Sequence, residues 1–206
     1  MSQHGKDPVD DAVGQLLQAF QTKLRAEQLR DQLTGMGNDA ALTELLENGI
    51  ESGTPSWYAF VEVDQFKSIN DAFSYQDADE LLKRIGDRLR RMAIDYFPAG
   101  ATAIRAHGDE FFLVGQLDQV DHAQIHEALD SLRHEISLIR IKVAEKPRSM
   151  QCTVSIGWLT SVDAPWRGTY SPDRTKLGQV LCGQAERCAW NSLSSLDFVV
   201  HFVLSA

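Results

Sequence analysis

The chain has 206 residues, 43% of them hydrophobic, with a formal net charge of −9 and a pI near 5.1. That length suits one substantial core with an appendage, and the acidic balance excludes long polyanions, since a nucleic-acid partner needs a basic face to displace counterions. A small phosphorylated ligand stays open, because local cations, backbone amides or a metal ion can hold phosphate whatever the global charge.

No apolar run approaches the roughly 18–20 residues of a membrane span, and Met1 to Asp10 lacks the basic and apolar stretches of a signal peptide, which predicts a cytoplasmic protein. Cys152, Cys182 and Cys188 are odd in number and show neither CxxC pairing nor a nearby His cluster, so they read as buried thiols. Nor do His4, His122, His126, His134 and His201 show ligand spacing, and Trp57, Trp158, Trp166 and Trp190 read as packing residues.

From Asp10 to Leu33 the residues Val13, Leu16, Leu17, Phe20, Leu24, Leu29 and Leu33 recur at helical steps among polar ones, predicting an amphipathic leader helix. Two readings stay open for it: packing on its own domain, or pairing in parallel with a second protomer. Thr34 to Asp39 contains two glycines and an Asn, a turn, before a helical pattern resumes from Ala40 to Leu46. The aromatic and β-branched run Trp57 to Val63 predicts a buried strand with an acidic end, and Ala78 to Ile94 a long helix on the sheet. Ala101 to Arg105 and Phe111 to Val114 bracket His107-Gly108-Asp109-Glu110, a hairpin with an acidic tip where Gly108 supplies a positive φ. A helix over His122 to Ile139, a strand over Gln151 to Leu159, a loop over Asp163 to Asp173, a helix from about Leu177 to Leu193 and a strand from Phe198 to Val203 complete the chain. The sum is an α/β (α+β) fold, an antiparallel-rich sheet flanked by helices.

Glu62 and Asp64 at a strand end share one face, and Asp109 and Glu110 sit at the hairpin tip. If strand and hairpin are neighbours, three or four carboxyl groups converge, an arrangement that calls for a cation; oxygen ligands with a triphosphate suit Mg²⁺ and metal-assisted phosphoryl transfer.

His107-Gly108-Asp109-Glu110-Phe111 resembles the GGDEF signature of the diguanylate cyclase family. Glu62 to Asp71, followed by Asp79, is similar to that family's D-x-D-x-F-K-x-I-N-D-(x)7-D segment. Asp31 to Asn38 resembles its D-x-L-T-G-L-x-N opening, and Thr153 to Gly157 its T-x-S-x-G strand. Four motifs occur in family order. The resemblance implies a ferredoxin-like sheet related to nucleotidyl-cyclase palms, with a leader helix at 1–30 and a GGDEF domain at 31–206, and condensation of two GTP molecules into cyclic di-GMP by a homodimer. By position it implies Glu62, the Val63 carbonyl and Asp109 as ligands of Mg²⁺ (or Mn²⁺), and Glu110 beside the reacting 3′-hydroxyl. It implies Asn70 and Asp79 on the guanine edge, Lys67 facing phosphate, and the Gly108 backbone against the nucleotide; the carboxylate accepts from guanine N1–H and N2–H.

The chain departs from the family pattern at several positions. Glu62 replaces Asp, adding a methylene to a metal ligand, and His107 replaces the first Gly of the signature. Leu193 and Asp197 stand where two phosphate-binding cations are usual. Ser74-Tyr75 replaces Gly-His, Asp39 stands where Arg is common, and Pro98 and Ala101 occupy the product-inhibition motif. The leading expectation is a degenerate GGDEF domain working through nucleotide binding (GTP or cyclic di-GMP), a signalling partner protein, or both. An active diguanylate cyclase and a purely structural α/β domain are the alternatives.

Overall fold

The structure, a computed structural model, describes residues 8–97, 100–118, 120–143, 149–161 and 203–204. Helix α1 (Pro8–Gln28) leads to α2 (Asp39–Ser52), then β1 (Ser56–Val63), α3 (Phe66–Ala72), α4 (Tyr75–Asp95), β2 (Ala101–His107), β3 (Glu110–Gln116), α5 (His122–Ser137), β4 (Val154–Thr160) and β5 (Val203–Leu204). The strands form one antiparallel sheet in the order β2-β3-β1-β4-β5.

Strand β1 lies between β3 and β4 with both faces covered, which is why Trp57 to Val63 reads as a nearly unbroken apolar run. Its alternate residues Trp57, Ala59, Val61 and Val63 enter the larger core, which α4 supplies with Leu81, Ile85 and Leu89 and α5 with Ile125, Leu129 and Ile136. Tyr58 and Phe60 face the other way and meet Leu42 and Leu46 of α2 together with Ile104 and Phe112. Each side chain fully withdrawn in this manner contributes roughly 1.5–3 kcal/mol. The sheet is thus held between α4 and α5 on one face and α2 on the other, confirming the sequence-predicted α/β architecture flanked by helices.

Several boundaries differ from the sequence reading. Helix α1 ends at Gln28 rather than Leu33. Asp31 terminates the helical run by bonding locally: its Oδ1 accepts from the Thr34 amide at 2.8 Å and hydroxyl at 2.6 Å, while its amide donates to the Met36 carbonyl at 2.8 Å. The stripe Val13, Leu16, Leu17, Phe20 and Leu24 is not folded back on the domain, as Leu16 is 71% and Phe20 59% exposed. Helix α4 starts three residues before the expected Ala78, because Ser74 and Asp77 form a reciprocal capping box. Asp121 and Gln124 do the same for α5. Helix α3 had no counterpart in the hydrophobic pattern: seven residues with only Phe66 and Ile69 turned toward the core are too few to set a period. The expected loop over Asp163 to Asp173 and helix over Leu177 to Leu193 lie outside the described residues, as do Cys182, Cys188, Leu193 and Asp197; of the terminal strand, only Val203 is described, within β5.

Candidate functional site at the end of the central strand

The acidic ends of β1 and β3 are brought together by register. Glu62 lies directly opposite Glu110 on one side and Ser155 of β4 on the other, so these three side chains share the α2 face of the sheet. The hairpin tip closes onto the same place, since the Val63 amide donates to the Asp109 carbonyl at 3.3 Å. Burial pushes the half-buried Asp109 carboxyl above its usual range, against a smaller opposing pull from its own backbone and from the Arg105 charge. Desolvation of a charged carboxylate is electrostatically costly, and a cation or a proton relieves it.

The hairpin needs two unusual features. Gly108 has φ +41°, in the left-handed region, and open space surrounds the position of a Cβ; the backbone, not crowding, selects glycine there. Between Arg105 and His107 the β2–β3 register shifts, leaving Ala106 outside the ladder and turning the chain before the tip. His107 swings outward: its side chain is 62% exposed, with Nε2 4.0 Å from Asp39 Oδ1 at the start of α2. The two departures from the family pattern, His107 and Asp39, therefore face each other at the rim.

Arg105 holds this tip from below. Its Nε and Nη2 donate to the Gly108 carbonyl at 2.9 and 2.7 Å, and its Nη1 reaches both Asp31 carboxylate oxygens at 3.2–3.3 Å. Arg30 and Arg90 donate to the Gly35 and Thr34 carbonyls of the same opening turn. Sequence reasoning missed Arg105, although a charged residue inside the apolar strand Ala101 to Ala106 is a readable signal.

Asp64, the first residue beyond β1, has both of its carboxylate oxygens engaged by neighbouring hydroxyls. Its Oδ1 accepts from the Ser155 hydroxyl at 2.6 Å and its Oδ2 from the Thr153 hydroxyl at 2.5 Å. Among the described residues no group of three or more His, Cys, Asp or Glu side chains is gathered to hold a metal ion.

Beyond Asp64 the chain turns through Gln65, the one non-glycine with positive φ (54°) among the described residues, into α3. Gln65 makes no side-chain bond to the helix start, so the first amides of α3 lack a side-chain cap. Lys67 is exposed and Asn70 half-buried on α3; Asp79 is exposed on the second turn of α4. These three fall on consecutive helices following the acidic end of β1, separated only by Phe73 and Ser74.

A profile described as "Diguanylate cyclase, GGDEF domain" matches residues 28–166. Among similar proteins, the cyclic di-GMP phosphodiesterase NbdA of Pseudomonas aeruginosa is 30% identical over 131 residues, 62% of this chain and 16% of NbdA. Diguanylate cyclase DgcP of the same organism is 31% identical over 137 residues, 64% of this chain and 19% of DgcP. Diguanylate cyclase VdcA of Vibrio cholerae is 25% identical over 142 residues, 68% of this chain and 40% of VdcA. The chain thus spans less than half the length of these relatives. Two solved structures share the fold. One is diguanylate cyclase SiaD in complex with its activator SiaC from Pseudomonas aeruginosa (TM-score 0.65, 23% identity, 87% of this chain and 66% of that one). The other is the coiled coil and GGDEF domain of DgcB from Caulobacter crescentus in complex with c-di-GMP (TM-score 0.64, 21% identity, 88% and 90%). With most of its described residues inside the matched region, and the acidic hairpin set against the central strand, the chain belongs to the diguanylate cyclase GGDEF-domain family.

Proposed function

We propose that the chain is a cytoplasmic cyclic di-GMP signalling module, a leader segment (1–30) followed by a GGDEF domain (31–206), that holds a guanine nucleotide beside the end of β1 while cyclase turnover is impaired or absent. The observation that carries the proposal is the register pairing of Glu62 with Glu110 at a hairpin whose Asp109 is bonded through its backbone to Val63. The donors there are all oxygens, which suits a hard divalent cation held by one or two carboxylates and completed by phosphate oxygens. In this reading Glu62, Asp109 and the Val63 carbonyl would hold Mg²⁺ or Mn²⁺, which when bound polarises the α-phosphate and helps activate the attacking hydroxyl. Glu110 stands beside that hydroxyl, Asn70 and Asp79 take the guanine edge, Lys67 faces phosphate and the Gly108 backbone lies against the nucleotide. The exposed Lys67 supports the phosphate end of this assignment.

Impaired turnover rests on the sequence departures. Replacing two phosphate-binding cations by Leu193 and Asp197 removes about 1.5–3 kcal/mol at each position, roughly two to four orders of magnitude in rate. The longer Glu62 stem displaces a metal ligand. Active cyclase chemistry is the second reading, favoured by the retained Asp109-Glu110 pair and by His107, which turns toward Asp39 and away from the tip.

For a partner, a second copy of the chain is the first choice. Val13, Leu17, Phe20 and Leu24 follow steps of four, three and four, the spacing of a two-helix seam, and they are exposed. A signalling protein docking on the same helix is the other option.

Product formation tests the activity. Purified protein with GTP and Mg²⁺ or Mn²⁺ should give no cyclic di-GMP above the level of a Glu110→Gln control. Product that disappears in Glu110→Gln would establish an active cyclase and overturn the impaired reading.

A further inference from the structure

The T-x-S spacing at the start of β4 has a direct use. Residues two apart on an extended chain point to one face, so Thr153 and Ser155 present two hydroxyls in the same direction. Those hydroxyls meet the two carboxylate oxygens of Asp64 separately, at 2.5 and 2.6 Å, while the Asp64 amide donates to the Thr153 carbonyl at 3.0 Å. A hydroxyl bonded to an ionised carboxylate is among the stronger neutral-to-charged hydrogen bonds, and Ser155 is buried.

Three bonds therefore pin the first residue beyond β1 to the neighbouring strand. The next residue, Gln65, is in the left-handed region at φ 54°, a conformation that a non-glycine side chain disfavours and that surrounding contacts must hold. No bond from the Gln65 side chain assists the start of α3, whose Ser68 and Ile69 amides return to the Gln65 carbonyl. The polar contacts at the entry to α3 thus come through Asp64 from Thr153 and Ser155, beside the packing of Phe66 and Ile69 against the core.

We infer that Asp64, clamped by Thr153 and Ser155, is a positioning residue that sets the Gln65 turn and so the orientation of Lys67 and Asn70, rather than a ligand of metal or substrate. The inference gives a role to two motifs separated by 89 and 91 residues in sequence: the second acid of Glu62-Val63-Asp64 exists for the hydroxyls of β4, and the hydroxyls for it. It rests on the nucleotide-site reading for its consequence but not for its geometry.

Amide hydrogen exchange on the full chain without nucleotide tests the clamp. Asp64→Ala and the double variant Thr153→Val/Ser155→Ala should each raise exchange at residues 65–69 by about tenfold or more, with α4 and α5 unchanged, whereas Thr153→Ser should behave as the parent. Unaltered exchange at 65–69 in Asp64→Ala, or a rise spread evenly over α4 and α5, would overturn the inference. Should Asp64→Ala fail to fold, Asp64→Asn, which keeps one acceptor, is read in the same way. In a parallel titration with GTP and Mg²⁺, Asp64→Ala should bind about tenfold or more weakly than the parent, and equal affinity would overturn the positioning role. A parent chain that binds no GTP would defeat the nucleotide reading and with it the functional part of this inference, while the exchange result still decides whether the clamp exists.

Discussion

Burial alone would raise the Asp31 carboxyl, yet the Thr34 hydroxyl and amide and the Arg105 guanidinium outweigh it and hold the group below its ordinary value of 3.8. A carboxylate depressed in the folded state contributes stability that is fully present above 3.8 and is lost as pH falls through the lower folded value. Asp31→Asn should therefore be less stable by about 1–3 kcal/mol near neutral pH, and the gap should narrow on acidification below the ordinary value, as read by urea unfolding at several pH values. A second residue-scale prediction concerns Gly115, which sits opposite Trp57 on β1. A Cβ there would lie 2.5 Å from Trp57 Nε1, and the indole is fully buried against Phe97, so Gly115→Ala should cost about 1–3 kcal/mol in thermal or denaturant unfolding. The acidic positions of the site, Glu62, Asp109 and Glu110, were legible in the sequence because they form part of motifs. Arg105, Thr153 and Ser155 were not assigned roles, because their partners Gly108, Asp31 and Asp64 are identified only once the strands are in register.

At the scale of elements, long periodic segments were legible and their ends were not. The α4 stripe from Leu81 to Ala93 gave the helix, but its start at Tyr75 depends on the Ser74–Asp77 box, a local bond pattern rather than a period. Helix α1 shows the opposite case: Leu29 and Leu33 continue the apolar rhythm, and the Asp31–Thr34 turn ends the helix regardless. What remains of α1 has an exposed stripe and an ion pair from Arg25 to Glu44 of α2. If the stripe is a seam for a second copy, Leu17→Glu combined with Phe20→Glu should convert a dimer to a monomer in light-scattering chromatography with the domain's unfolding midpoint unchanged. A parent chain that is already monomeric at high concentration would refute the seam.

For the whole molecule, the order β2-β3-β1-β4-β5 decides which residues meet at the end of β1. Placing β1 between the hairpin and β4 lets one strand end receive Glu110 from one neighbour and the Asp64 clamp from the other, while α3 and α4 leave from that end carrying Lys67, Asn70 and Asp79. No described helix is long and apolar enough to cross a membrane. If this end holds a guanine nucleotide, whether or not the chain turns it over, calorimetric titration of the full chain with GTP and with ATP, in Mg²⁺, will show it, with Asp79→Ala as the comparison. GTP should bind saturably, about tenfold or more weakly in Asp79→Ala, and more tightly than ATP by a similar factor. Absence of GTP binding, or equal affinity for the two nucleotides, would refute a guanine site at the end of β1.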